Sequence, residues 1–435
     1  MKRIVFDLTD LVAWGGNPTG IQRVVYNFAI RIEKDFPKVA FTRYDPDLKV
    51  IFTASLKELS INVHKSLDNT DLPSSVYSRL RHSIKGRKIY SLGRKYLPLT
   101  VKKSILYSYK KTTYSLKLIK NVPSRFHQKV KASSNAFVFE DGDVFVITGA
   151  GWLKEGLLDF LGKEKRHTDI SIQHVVYDLI PALFPQLFGL GFGDHYANYL
   201  FKMVEVCDSF VAISESTKRD LITFMKEMNF DLKNVDVIRL GDEINCRPKN
   251  IDDFSVPKTT FILSVGTFEV RKNHELIYQV YKLAQLNSIE LPPIIIVGRL
   301  GWLTNDLKYK IENDPDMYKK MILKFDASDE ELDYLYQNCL FTVYPSLYEG
   351  WGLPIAESLA YGKVCLSSET SSMKEIAGSI LGYFSPNDPV ALLKLIQKYL
   401  DPNHRIVAEK TIKKKYQTTT WQQTAAQFFN LLRQS

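Results

Sequence analysis

Short apolar runs alternate with stretches of helical periodicity along most of the chain, and that alternation constrains the fold more than any other feature. Residues 3–8 form a β-rich run, after which Ile21, Val24, Val25, Phe28 and Ile32 recur at helical spacing, so the chain opens with a βα unit. Further strands are expected at residues 144–148, 170–176, 209–213 and 236–238, with helical stretches between them. A parallel sheet follows, because a helix crossing over the sheet returns each strand in the same direction. After a polar break at residues 250–253 the pattern resumes, with strands expected at 261–265, 294–297, 321–324, 340–344 and 363–366. The expected class is therefore α/β, with two doubly wound Rossmann-like domains over residues 1–250 and 251–415. At 435 residues the chain is long enough for both. A last segment, 416–435, reads as a closing helix with Trp421, Ala425, Phe428 and Leu432 on one side. Ligands of such sheets sit at the carboxyl ends of the strands, so the active site is expected in the cleft between the domains.

The formal charge of +10 is local. Residues 79–131 hold sixteen Lys and Arg and no Asp or Glu, which leaves the rest of the chain at −6. Tyr90, Tyr96, Tyr107, Tyr109 and Tyr114 are interleaved with them, a composition that reads as amphipathic helices within an insertion spanning about 60–133 of the first domain. An anionic partner is implied, with a solvated helical insertion as the alternative. No groove-reading or RNA-binding motif accompanies the charge, so nucleic acid is not expected. No apolar run approaches the ~20 residues that span a bilayer, and Asp7 and Asp10 break the first segment, so a cytoplasmic protein is expected. Cys207, Cys246, Cys339 and Cys365 are too far apart for a CxxC pair and read as reduced packing residues.

Three turns carry chemistry. In the first, residues 15–20 (Gly-Gly-Asn-Pro-Thr-Gly) follow the first strand, and Thr19 with Gln22 has the spacing of a capping box. Gly16 and Gly20 there would open helix-terminal amides to an anion, although glycines at such turns also serve backbone geometry alone. The second turn runs from Gly266 and Thr267 to Arg271, Lys272 and Asn273, with Asn273 as the expected N-cap. Two cations beside a helix N-terminus can neutralise a diphosphate without a metal. In the third, Glu349, Gly350, Trp351, Gly352 and Leu353 lead into a helix bearing Glu357, with Pro354 suited to its first turn. Carboxylates placed there accept hydrogen bonds from sugar or ribose hydroxyls, and the amides of residues 350–353 stay free for anionic oxygen.

This last segment resembles the E-x7-E signature of retaining glycosyltransferases of the GT-B fold, family 4 in particular, of the kind that builds bacterial O-antigen or capsule. The likeness runs from about residue 261 to 400, through the G-x-x-x-x-R-K-N turn, residues 297–299, 328–332 and 368–375. In the first half it takes in the glycine turn, residues 177–181 and 213–217. By this resemblance Glu357 holds the nucleotide ribose, Glu349 contacts the donor sugar, and Arg271 and Lys272 bind the diphosphate. The amides of Gly350, Trp351, Gly352 and Leu353 hold sugar and phosphate, Gly16 and Gly20 face them, and Phe325 lies near the base. Two departures stand out. Thr267 occupies a place where many members have Arg, which puts one phosphate contact in doubt. Tyr177 occupies a place where many have His, and His174, three residues away on a strand, points to the other face. Asp178 is then an acceptor-side candidate or a helix cap, and Trp152 an acceptor contact or a packing aromatic.

The function implied is transfer of a mannosyl, rhamnosyl or glucosyl group from a nucleoside-diphosphate sugar to a hydroxyl of a glycan, with retention. The acceptor implied is carried on a polyprenyl diphosphate, with the 79–131 segment on an anionic inner-membrane surface. Neither cofactor nor metal is expected: Asp141-Gly142-Asp143 has the look of a metal-binding D-x-D but precedes its strand and reads as a turn. A soluble glucan synthase is the competing enzyme, and a basic nucleic-acid-binding protein is the competing class. The latter would leave Glu349, Glu357 and both phosphate turns without a purpose.

Overall fold

The computed structural model describes residues 2–12, 20–56, 136–243 and 259–434. Gly16, Thr19, the basic segment 79–131, Cys246 and the polar break at 250–253 lie outside the described residues.

The first lobe is a seven-stranded sheet made of β1 (Ile4–Asp7), β2 (Ala40–Asp45), β3 (Val50–Thr53), β4 (Val144–Ile147), β5 (Ser171–Val176), β6 (Ser209–Ala212) and β7 (Asn234–Val237), in the order β3-β2-β1-β4-β5-β6-β7. The second is a six-stranded sheet of β8 (Ile262–Val265), β9 (Ile294–Val297), β10 (Met321–Lys324), β11 (Thr342–Tyr344), β12 (Cys365–Ser368) and β13 (Gly382–Phe384), in the order β10-β9-β8-β11-β12-β13. The central strands β1, β4 and β9 are buried at every residue because helices cover both faces, and they are apolar except for Asp7, which pairs with Lys154.

The wholly parallel first sheet that the sequence implies is corrected at one edge, where β3 runs antiparallel to β2. Both strands are short and half-buried, so their alternation is weak. The turn between them is made by Asp45, whose Oδ1 accepts from the amides of Asp47 and Leu48, and by Lys49 at φ 55°. The sequence reading also passed over β13, which has only three residues.

Five helices position the site: α1 (Ile21–Asp35), α2 (Glu215–Glu227), α3 (His274–Leu286), α4 (Leu353–Ala360) and α5 (Trp421–Gln434). In α1, of the residues read as periodic, Val24, Val25, Phe28 and Ile32 are buried and Ile21 is half-buried. Gly20, at φ 53°, holds its N-cap, and the capping box expected at Thr19 lies outside the described residues. Helix α5 lies against α1, with Phe428 stacked on Phe28 at 4.5 Å and Phe429 edge-on to Phe36 at 5.9 Å. Arg433 pairs with Asp35 at its far end.

Loops at the carboxyl ends of both sheets meet. Gly350, after β11, lies so close to the first lobe that a Cβ there would stand 2.0 Å from the Tyr177 carbonyl oxygen. Around it, Tyr348 donates to Asp220 (2.8 Å), Trp302 Nε1 donates to the Leu187 carbonyl (2.9 Å), and the Glu375 carboxylate accepts from the first amides of α2 (2.7 and 2.8 Å). Among the described residues no helix is long and apolar enough to cross a membrane.

Candidate active site

Strands β8 and β11 are neighbours, so the turns that follow them lie side by side. The Leu347 amide donates to the Arg271 carbonyl (2.9 Å), and Asn273 Nδ2 donates to the carbonyls of Pro345 (3.1 Å) and Pro386 (2.8 Å). Asn273 does take the N-cap position of α3, but at φ 58° its side chain makes no cap and serves instead as this lacing. The lacing delivers Arg271 and Lys272 to Glu349.

Glu349 is the hub of the cluster. Its Oε1 accepts from Lys272 Nζ (2.6 Å), Ser346 Oγ (2.6 Å) and Tyr344 OH (2.8 Å), while Oε2 accepts from Arg271. Arg271 also reaches Glu269 (2.7 Å) and the Tyr348 carbonyl (3.0 Å), and Lys272 reaches Tyr344 OH (2.9 Å). All three charged side chains are at most 15% exposed. Burial alone would raise the Glu349 carboxyl, but Arg271 and Lys272 outweigh it and hold the pKa at about 2. Burial lowers the Lys272 ammonium against the pull of Glu349, whereas Glu349, Glu269 and Asp178 together keep the buried Arg271 guanidinium above its ordinary value. Two cations and two buried acids thus form a preorganised, neutralised cluster. A carboxylate has about four acceptor sites, and one on Oε2 stays open.

Glu357, on α4, does not join this cluster. Its Oε1 accepts from Arg23 of α1, across the cleft, and its Oε2 from Tyr336 OH, each at 2.9 Å. Between the two glutamates, the amides of Gly350, Trp351, Gly352 and Leu353 have no hydrogen-bond partner among the described residues. Gly352 sits at φ 134°, which a side chain would strain, and Pro354 lies in the first turn of α4. A row of open amides at a helix start, flanked by an acid and a cation pair, suits a ligand with hydroxyls at one end and anionic oxygen at the other.

The remaining candidates fall into two groups. Asp178 is half-buried beside the cluster: burial raises its carboxyl against the opposing charge of Arg271, and its Oδ1 accepts from the Ile180 amide (3.0 Å) at the start of a short helix. Phe325 follows β10 and stands edge-on to Phe268 at 5.8 Å, and Thr267 packs against the loop at Gly301, both at the carboxyl edge of the second sheet. Trp351 is buried, with Arg239 over its ring at 5.7 Å. Two acceptor-side candidates are spent on structure instead. The Tyr177 hydroxyl donates to the Thr148 carbonyl (2.6 Å), and Trp152 packs edge-on against Tyr196 at 5.2 Å. His174 bonds Tyr199, and burial lowers it to about 3, so it stays neutral. Asp143 is bound by Arg3 (2.7 Å) and Asp141 by the Asp169 amide (2.8 Å), at the end of β4 away from the cleft.

Glu269, Tyr344, Ser346, Tyr336 and Arg23 are contributors that the motifs did not single out. Glu269 lies inside the G-x-x-x-x-R-K turn and could have been suspected from an acid beside two cations. Arg23 has no local signal, since its partner is 334 positions away.

Residues 247–418 match the family model described as glycosyl transferases group 1. The O-antigen chain mannosyltransferase B of Escherichia coli is 30% identical over 171 residues, which cover 39% of this chain and 45% of that protein. The O-antigen chain mannosyltransferase RfbU of Salmonella typhimurium is 26% identical over 216 residues, 49% of this chain and 56% of that protein. The chain thus spans about half the length of these curated relatives. Among solved structures, sucrose-phosphate synthase from Thermosynechococcus elongatus superposes with a TM-score of 0.60 at 15% identity, covering 100% of this chain and 99% of that one. Anabaena HepE in complex with UDP-glucose gives 0.60 at 13% identity, covering 100% of both chains. The second lobe is therefore similar to group 1 glycosyl transferases over residues 247–418, and the chain as a whole has the GT-B fold of two Rossmann-like lobes facing a cleft.

Proposed function

We propose that the chain transfers a hexosyl group, with retention, from a nucleoside-diphosphate sugar to a hydroxyl of a glycan acceptor in surface-polysaccharide synthesis. The observation that carries this reading is the buried Arg271–Lys272–Glu349 cluster beside the open amides of residues 350–353. Negative charge develops on the departing diphosphate, and cations and amides already aimed at it stabilise that charge without reorganising. In this reading Arg271 and Lys272 keep their contacts with Glu349 and meet the diphosphate with their remaining donors, while the open acceptor site of Glu349 takes a sugar hydroxyl. Glu357 takes the ribose, Phe325 lies by the base, and Thr267 and Gly20 border the phosphates. Asp178 faces the acceptor. The named functions of the two bacterial relatives make mannosyl the first group to test, with rhamnosyl and glucosyl next, on a polyprenyl-diphosphate-linked acceptor.

The deciding experiment is a screen of GDP-, UDP- and dTDP-sugars by thermal shift and by release of nucleoside diphosphate, repeated in chelator, where activity is expected to persist. A bound ligand at a hundred times its Kd stabilises by about 2.7 kcal/mol, a readily measured shift. Lys272→Ala should lower turnover by roughly a hundredfold to a thousandfold, the usual cost of removing one donor to developing charge. Stabilisation by an oligonucleotide and by no sugar nucleotide would sink the proposal. Membrane attachment is tested by liposome flotation: binding is expected to need anionic lipid and residues 79–131, through Lys and Arg charge.

A further inference from the structure

The ion pair between Arg23 and Glu357 has no part in the second lobe's own architecture. Glu357 is held from two sides. Tyr336, whose ring stacks on Tyr361 at 5.2 Å and 7°, is a fixed donor from the same lobe, and Arg23 is a donor from the other. Between them they occupy one acceptor position on each oxygen and set the plane of the carboxylate, leaving about two lone-pair positions. The Glu357 side chain is 6% exposed and that of Arg23 21%, so the acid is withdrawn from water. Without the guanidinium, the buried carboxylate would keep one neutral donor and would be free to turn.

We propose that Arg23 is a positioning residue for nucleotide recognition: it holds the Glu357 carboxylate oriented for the ribose hydroxyls, so that ribose affinity depends on a side chain from the first lobe. The inference rests on the reading of Glu357 as the ribose-holding acid. It also accounts for the placement of Arg23 at the third position of α1, one turn from Gly20, where the helix start faces the other lobe. Arginine suits this task because it stays charged and its planar fork fixes the geometry of the acid it touches.

The test is a cycle between protein and ligand. UDP, GDP and ADP are compared on the wild-type chain, and the tightest is then measured by calorimetry in its ribo, 2′-deoxy and 3′-deoxy forms. The proteins are wild type, Arg23→Gln, Arg23→Lys and Glu357→Gln. Wild type should lose roughly tenfold to a hundredfold in Kd when the hydroxyl that meets Glu357 is removed, the range of a hydrogen bond to a charged group. Arg23→Gln should lose a similar factor for the ribo form and then show little further loss for the deoxy form, with Arg23→Lys in between. Folding defects cancel, because both ligands are measured on the same variant. Equal losses for ribo and deoxy forms in Arg23→Gln, or no loss at all, would overturn the role of Arg23. If Glu357→Gln keeps the wild-type preference for ribose, or if no nucleoside diphosphate binds the wild type, the underlying reading of the site fails instead.

Discussion

Glu349 shows how much one buried carboxylate can organise. It binds two cations, two hydroxyls and, through its amide, Ser371, so replacing it leaves Arg271 and Lys272 buried with fewer partners. Removing one member of a buried charge cluster typically costs about 3–5 kcal/mol. Glu349→Gln is expected to lower unfolding stability in urea by roughly 3 kcal/mol and to abolish transfer. The pH dependence has a definite sign. Folding depresses this carboxyl from 4.5 to about 2, so its contribution is complete above about 4.5 and is lost as pH falls toward 2. The stability gap between wild type and Glu349→Gln should therefore be constant from neutral pH down to about 5 and close below it. Both glutamates and both cations were legible as a spaced pattern in the sequence. That Glu349 grips the cations, and that Glu357 faces away from them, was not, because side-chain partners depend on which turns the sheet brings together.

At the scale of elements, the turn after β11 is one of the places where the two lobes touch, and its glycines are the parts that a side chain would spoil. A methyl group at Gly350 would stand 2.0 Å from the Tyr177 carbonyl oxygen and 3.0 Å from Asp178 Cβ, so the loops after β11 and β5 would have to part. A displacement of about 1 Å at a reacting centre can cost a hundredfold in rate, and Gly350→Ala is expected to fall by roughly that factor. Far-UV circular dichroism should stay unchanged, since neither sheet includes the residue; loss of the sheet signal would refute the assignment of the effect to lobe seating. Most strands lie within a few residues of where the apolar runs put them. The elements missed are β2, β3 and β13, which are short or on an edge and so carry little periodicity.

For the whole molecule, α5, which follows the second lobe in sequence, packs back on the first helix of the first lobe. Phe428 is fully buried against Phe28, and truncating such a side chain typically costs about 3–5 kcal/mol. Phe428→Ala should lower the melting temperature measurably, and a chain ending at residue 415 should do so more strongly by uncovering Phe28 and Phe36. A truncated chain with wild-type melting would show that the segment 416–435 does not close the structure as we propose.

Local patterns were enough to establish the α/β class, the two-lobed architecture and the glycine turn before the helix that bears Glu357, because strand and helix periods and turn chemistry are properties of neighbouring residues. The tertiary structure alone decided the antiparallel edge, the cap on Gly20, the union of Glu349 with Arg271 and Lys272, and the reach of Arg23 across the cleft to Glu357. The last two join groups far apart along the chain, and the energy of such a contact depends on distance and burial in the folded molecule, which no local window of sequence contains.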